Sequence, residues 1–284
     1  MKLGLRLVNS VQGEIFLISQ LVRLSMLSLA LQPVWEGLAE HQWSEGQLAD
    51  FEASLSSLDF LADYQSSVRS EVGFQAPLFD LLRHRPEMLE QLGKAEDRPT
   101  STLQGELLSR LIPSGWFYQN QLRCARFMIQ YNLPLVDWER RDVSPTATKH
   151  AAAALDAEIS RRGPYNFLEA MLLPAAGGAV KKFAQTQTTV DLARLACGLE
   201  RHRLAHGQFP DTLATLAPQF IEKVPHDVIN GQPLHYRRTD SGQFLLYSVG
   251  WNETDDGGKV ALNKGSTPGV DAEQGDWVWP MPAK

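Results

Sequence analysis

An acidic loop near the C-terminal end carries the side chains best suited to bind a cation. The loop reads WNETDDGG over residues 251–258, and Asp271, Glu273 and Asp276 follow it. Calcium takes roughly six to eight oxygen ligands from carboxylates, amide side chains and backbone carbonyls. The two glycines that end the loop supply the turning freedom that such a site needs. Because the EF-hand spacing is absent, these residues alone indicate a solvated acidic loop more readily than a calcium site.

Two histidines four residues apart, His202 and His206, have the spacing of a zinc ligand pair. Zinc hydrolases that use this spacing place a glutamate directly after the first histidine. Here that position holds the cationic Arg203, while Glu200 comes before the pair. We therefore interpret the two histidines as interface residues, and His206 is favourable beside the negative end of its helix.

A second group of residues, His226-Asp227, His235 and Ser248, has the types used in nucleophilic catalysis. The segment around the serine, YSVG at residues 247–250, lacks the first glycine of the G-x-S-x-G elbow. The glycine pairs at 177–178 and 257–258 match neither a phosphate loop nor a dinucleotide-binding turn. We therefore predict no catalytic residues and no enzyme activity, and an unrecognised hydrolase stays as the least favoured alternative.

The composition narrows the classes of partner. The chain has 284 residues, a length typical of one large domain or two ordinary ones. A formal net charge of −6 and the absence of a Lys/Arg block argue against nucleic-acid binding. Nothing in the pattern indicates a small-molecule substrate, so we expect protein partners.

Residues 1–175 carry the apolar spacing of helices and no strand alternation. We predict one helix from residue 2 to about residue 40, another over residues 116–138, and an exposed loop over residues 93–105. Ser44 and Gln47 have the spacing of a capping box, and Ser144-Pro145 is a typical helix start. The most apolar run, residues 15–31, is short for a membrane span and includes Arg23, so we predict a buried helix.

The pattern changes in the last third of the chain. A helix is predicted from about Val180 to His206, where Gly207 is placed to end it. Period-two alternation around Leu234 and Tyr236, a turn at residues 239–242 and a return strand over residues 243–249 predict a hairpin. We therefore predict an α+β fold with two domains. An all-helical scaffold spans residues 1–175, and a long helix packed on a small antiparallel sheet spans residues 176–284.

The last third also resembles the globular domain of the major pseudopilins of type II secretion systems. The residues that carry the resemblance are LERHRLAHGQFP at 199–210, Asp211-Thr212-Leu213, Val224-Pro225-His226-Asp227, GQPLHY at 231–236, LYSVG at 246–250, DDGG at 255–258 and Asp276-Trp277. The resemblance implies a pseudopilin-like fold over this third. It does not imply pilus assembly, because the family's processing site and its long apolar N-terminal helix are absent and the DPWGN motif reads DVING here.

The same resemblance implies a calcium site, since the family carries one in this loop. Carried over residue by residue, the metal ligands are Asn252, Asp256 and Asp276, with Asp255 as a substitute for one of them. Calcium is thus the one cofactor that the resemblance implies, and backbone carbonyls near Val249 or Gly250 complete its coordination.

The whole chain resembles multi-helix envelope proteins of planctomycete- and verrucomicrobial-type bacteria. We expect a non-enzymatic structural or protein-interaction protein of the bacterial cell envelope, on the periplasmic face if an anchor segment lies upstream and cytoplasmic otherwise. The alternative is a helical-repeat-like adaptor that binds a partner peptide or helix through residues 1–175.

Overall fold

A computed structural model describes residues 2–85, 88, 112–161, 163–173, 178–240, 242–263 and 269–279. The loop predicted over residues 93–105 lies outside these ranges. The α-helices are α1 (Lys2–Ser10), α2 (Leu17–Ala39), α3 (Glu45–Ser56), α4 (Phe60–His84), α5 (Ser114–Phe127), α6 (Pro145–Ser160), α7 (Phe167–Leu172) and α8 (Ala179–His206). The strands are β1 (Val136–Asp137), β2 (Asp142–Val143), β3 (His235–Arg238), β4 (Phe244–Ser248), β5 (Val260–Leu262), β6 (Val270–Gly275) and β7 (Trp277–Trp279).

The predicted fold class is confirmed: the chain is an α+β protein in which α8 packs on a small antiparallel sheet. The three-stranded sheet has the order β3-β4-β7, and β5 pairs with β6 in a separate two-stranded sheet. Helix α8 ends at Gly207, which adopts the left-handed conformation with φ of 79° and donates its N–H to the Arg203 carbonyl. The helix contacts both β4 and β7.

The prediction of one helix over residues 2–40 is wrong, because the chain turns between α1 and α2. The side-chain amide of Gln20 donates to the Glu14 carbonyl in this turn at 2.5 Å. The first amide of α2, Leu17 N, donates to the carboxylate of Glu71 on α4 at 3.0 Å. Pro33 lies inside α2 without ending it, at an exposed position.

The prediction of helix through residue 138, and of an all-helical region, is also wrong. Helix α5 gives way to a π-helical turn at Met128–Asn132 and a 3₁₀ turn at Leu133–Leu135, and then β1 pairs with β2. Pro134, which has no N–H to donate, lies in the 3₁₀ turn. The hairpin is tied to the C-terminal region, because Val143 N donates to the Val228 carbonyl at 2.7 Å.

Helix α8 is central to the core. It packs against α2, α3 and α4 on one side and against the sheet on the other. One continuous set of buried apolar side chains extends from Leu5 in α1 to Trp279 in β7. The division into domains at residues 175 and 176 stays a prediction, and α8 contributes to the core on both sides of it.

A buried carboxyl group on α8 makes the stability of the fold depend on pH. Asp191 is 5% exposed and accepts a hydrogen bond from the side-chain amide of Gln187 at 3.2 Å, with Arg194 3.5 Å away. Burial raises the pKa of Asp191 from 3.8 to about 6, although Gln187 and Arg194 oppose the rise. Well below pH 3.8 the group is protonated in both the folded and the unfolded chain, so its burial does not change stability there. Between about pH 4 and pH 6 the unfolded chain ionises first, and the folded state therefore loses stability.

We expect Asp191→Asn to gain stability over the wild type as the pH rises from 4 to 7. The difference between the two free energies of unfolding is expected to grow by about 2–3 kcal/mol over this interval. Urea unfolding at pH 4, 5, 6 and 7 measures it, with the exposed Asp240→Asn as control. A difference that stays the same at pH 4 and pH 7 would contradict the burial of an ionisable Asp191.

Candidate functional site

The four residues predicted as metal ligands lie together at one edge of the C-terminal sheets. The acidic loop follows β4 and leads into β5, while Asp276 separates β6 from β7. Two glycines permit the close approach of these segments. Gly250 and Gly275 both have positive φ, and a Cβ at Gly250 would collide with the Gly275 carbonyl.

Asp276 closes the loop with hydrogen bonds to its backbone. The side chain is 1% exposed. One carboxylate oxygen accepts from Asp256 N at 3.2 Å, and the other accepts from Gly258 N at 2.6 Å and Lys259 N at 3.3 Å. Burial raises the pKa of Asp276, while the three N–H donors act in the opposite direction. The carboxylate therefore satisfies the amides of a tight turn that has no other acceptor for them within hydrogen-bonding reach in the described residues.

Asp255 faces the sheet. One of its carboxylate oxygens accepts from the Tyr247 hydroxyl at 3.0 Å and from Gly257 N at 2.9 Å. These donors lower the pKa of Asp255, and burial raises the pKa of Tyr247 to about 12. The His235 ring stacks on Tyr247 at 4.8 Å between centroids and places Nδ1 3.5 Å from the other Asp255 oxygen.

Asn252 and Asp256 bond to one another. The Asn252 amide nitrogen donates to the Asp256 carboxylate at 3.0 Å, and the Asn252 oxygen accepts from Thr254 N at 3.1 Å. The side chain of Asn252 therefore presents its NH₂ group to the Asp256 carboxylate, and its oxygen does not face the same point as the Asp256 oxygens.

This arrangement does not fit a calcium ion. Among the described residues, no group of three or more His, Cys, Asp or Glu side chains is placed to hold a metal. The Asp276 oxygens are turned to the amides of Asp256, Gly258 and Lys259, and Asp255 points to Tyr247. Calcium binding by the four residues stays a prediction, and it would require the loop to exchange these hydrogen bonds for metal contacts.

A second buried carboxylate, Asp227, holds the start of the same loop. It accepts from the Ser248 hydroxyl at 2.9 Å, from Ile229 N at 3.0 Å and from Val249 N at 3.0 Å. Asp227 is 1% exposed and Ser248 is fully buried. No sequence pattern indicated the contact with β4. The bond to Ile229 N did have a local signal, since an aspartate before a turn commonly accepts from the amide two residues on.

The residues considered for a hydrolase do not form a catalytic arrangement. Ser248 donates directly to Asp227, with no histidine between them. His226 Nε2 lies 3.3 Å from the Arg141 carbonyl, and His235 is stacked on Tyr247. Acyl transfer needs a serine that is activated by a histidine or similar base and is open to a substrate, and the buried Ser248 bonds only to the buried Asp227 among its side-chain acceptors in the described residues.

The structure supports the interpretation of His202 and His206 as interface residues. Their rings stack at 4.2 Å, and both meet the edge of Phe220. Each Nδ1 bonds to a backbone carbonyl, that of Gln208 for His202 and that of His202 for His206. Arg203 forms a two-bond ion pair with Glu200 at 2.6 and 2.8 Å.

No family model, curated protein or solved structure matches this chain. The resemblance to pseudopilins and to multi-helix envelope proteins stays a prediction from the sequence.

Proposed function

We propose that this chain is a non-enzymatic protein-interaction protein of the bacterial cell envelope. In this proposal the unit formed by α8 and the C-terminal sheets is a rigid, pseudopilin-like platform for protein contacts. The observation that carries the proposal is that the buried carboxylates of this unit, Asp227 and Asp276, accept hydrogen bonds from backbone amides of the protein itself.

The groups that could do chemistry in the C-terminal unit serve its structure. Asp227 and Asp276 are both 1% exposed, and between them they accept five backbone N–H bonds. A general base or nucleophile must reach a proton or an electrophile of the substrate. Carboxylates that are enclosed and bonded to main-chain amides instead fix a turn, which is what a stable contact surface requires.

The proposed envelope location draws support from α2. By length and composition, this helix is able to cross a membrane, and 44% of its most apolar window is buried within the protein. Its inner side packs against α1, α4 and α8. Its outer side exposes Ile18, Val22 and Leu29. We propose that α2 is a core helix whose apolar outer side suits a location at the envelope.

Calcium is not required by this function. The hydrogen bonds of Asp276 and Asp255 hold the loop with the residues that the chain itself supplies. Calcium as a stabilising ion is a separate proposal that rests on the resemblance alone.

Photocrosslinking in cells of the source bacterium tests the platform. We expect p-benzoylphenylalanine at Arg237 or Lys259, both exposed on the C-terminal unit, to give a discrete adduct that fractionates with the cell envelope. The control position is Lys149, exposed on α6. No adduct from either position, or the same pattern of bands from all three, would contradict a specific contact surface on this unit.

The alternative of a helical adaptor is supported by one observation. A cleft lies between α4 and the turn that joins β1 to β2, and the exposed Trp138 is at its rim. Because binding through the helical region and binding through the C-terminal unit involve different surfaces, the two functions are separable by experiment.

A further inference from the structure

The cleft beside α4 has a cavity volume of about 470 Å³. Its lining includes Asp59, Leu61, Gln65, Arg69, Trp138 and Arg141. Those from α4 recur at helical steps of four residues, so they form one face of the helix. The opposite wall is the β1–β2 turn.

The two walls of the cleft are fixed to each other. The Gln65 side-chain amide donates to the Val136 carbonyl at 2.9 Å. The Arg141 guanidinium forms an ion pair with Asp59, the residue that caps α4. The Arg141 carbonyl is in turn 3.3 Å from His226 Nε2 of the C-terminal region. A ligand would therefore meet a preformed site, which lowers the entropy cost of binding.

The turn is held in shape by its own bonds. The Asp137 carboxylate accepts from Glu139 N and Arg140 N, both at 3.0 Å. Arg141 adopts the left-handed conformation with φ of 57°. These bonds place Trp138 at the rim of the cleft with 67% of its surface exposed. An exposed tryptophan on a fixed turn is a typical binding anchor.

The charge of the cleft is opposite to that of the chain. Two arginines against one aspartate leave the lining with one net positive charge, in a chain whose net charge is −6. Arg141 is neutralised by Asp59. Arg69 is exposed and forms no hydrogen bond or ion pair with any residue that the structure describes. Its guanidinium is free to take a carboxylate in a two-bond fork.

We propose that this cleft binds an acidic peptide segment of a partner protein. A carboxylate of the segment pairs with Arg69, and a neighbouring apolar or aromatic side chain packs on the Trp138 indole. The proposal rests on the proposed function in that it assumes a protein-interaction protein, and it adds a second binding surface on α4 and the β1–β2 turn, apart from the C-terminal unit. An inorganic anion satisfies Arg69 but leaves the indole exposed, so the pairing of the two residues favours a peptide.

Fluorescence polarisation with a labelled Glu-Glu-Phe-Glu-Glu peptide tests the site on the full chain. We expect saturable binding in the micromolar range, and no binding of the matched Lys-Lys-Phe-Lys-Lys peptide. Arg69→Ala and Trp138→Ala are each expected to weaken binding by about fivefold to tenfold. The matched control is Arg140→Ala, because Arg140 is 79% exposed on the same turn but does not line the cleft. It is expected to change binding by less than about twofold.

Two outcomes would overturn the proposal. The first is no saturable binding up to millimolar peptide. The second is equal loss in Arg140→Ala and Arg69→Ala, which would show attraction to surface charge in general. Since these side chains are exposed, all three variants should keep the wild-type melting temperature within about 1–2 °C. Crosslinking from Arg237 or Lys259 does not depend on the cleft. If these crosslinks form and the peptide does not bind, the peptide site is wrong and the proposed function is not contradicted.

Discussion

We expect Asp276→Ala to lower the free energy of unfolding by about 4 kcal/mol, because three backbone amides lose their acceptor at once. The backbone amides of Asp256, Gly258 and Lys259 all donate to the buried Asp276 carboxylate. For a protein of this size, the loss corresponds to a fall in melting temperature of about 7 °C. Differential scanning calorimetry or thermal unfolding followed by circular dichroism measures it.

Two further variants sharpen this prediction. Asp276→Asn keeps one oxygen acceptor, and burial already disfavours the charge at this position, so its loss should be about half as large. Asp256→Asn is the matched control in the same loop, since the Asp256 carboxylate accepts only the Asn252 amide among the described residues. An Asp256→Asn effect as large as that of Asp276→Ala would contradict the central position of Asp276.

Asp63→Ala should destabilise the helical region by about 4 kcal/mol, because it leaves a buried guanidinium without a counter-charge. Arg23 is fully buried, with its Nε donating to the Val8 carbonyl at 3.1 Å and its Cζ 4.7 Å from the centroid of the Phe60 ring. Asp63 on α4 supplies the carboxylate that pairs with it. Urea unfolding of the single variant measures the loss.

A double variant distinguishes the stability lost through the unpaired buried charge from the stability lost through altered packing. Arg23→Met with Asp63→Ala removes both charges, and we expect it to recover most of the stability lost in Asp63→Ala. Asp80→Ala is the control on α4, since Asp80 pairs with Arg83 on the exposed surface, and it should leave the melting temperature almost unchanged. A double variant as unstable as Asp63→Ala would show that packing, and not the unpaired charge, determines the loss.

The features that the sequence predicted correctly are local ones. Ser44 and Gln47 exchange the two bonds of a capping box, and the Ser144 hydroxyl accepts from Ala147 N at the start of α6. Such signals lie within a few residues of the structure they determine. The hairpin of β3 and β4 also follows from local alternation and turn residues, with Tyr236 opposite Leu246.

The features that the sequence did not predict depend on distant residues. The turn between α1 and α2 is stabilised by Glu71, which is 54 positions beyond Leu17. Strands β1 and β2 have two residues each, which is too short for alternation to be visible. Their position depends on a bond from Val143 to Val228 across the fold.

The candidate site was located by sequence, but its bonding was not. The cluster of carboxylates, amides and glycines drew attention to the loop, and the resemblance to pseudopilins implied Asp276 as a ligand. Spacing does not distinguish a carboxylate that binds a cation from one that accepts main-chain amides, since both uses need an acidic side chain beside a glycine-rich turn. In the same way, residue types suggested a serine, a histidine and an aspartate, but only the fold shows Ser248 bonded directly to Asp227.

Thermal unfolding of the wild type in EDTA and in millimolar calcium is the most direct test of whether the loop is closed by the protein's own hydrogen bonds. A loop closed by Asp276 predicts melting temperatures that agree within about 1 °C, and an equal loss for Asp276→Ala in both solutions. If calcium raises the wild-type melting temperature by several degrees and Asp276→Ala abolishes the rise, the loop is a cation site and its description as a hydrogen-bonded platform is wrong.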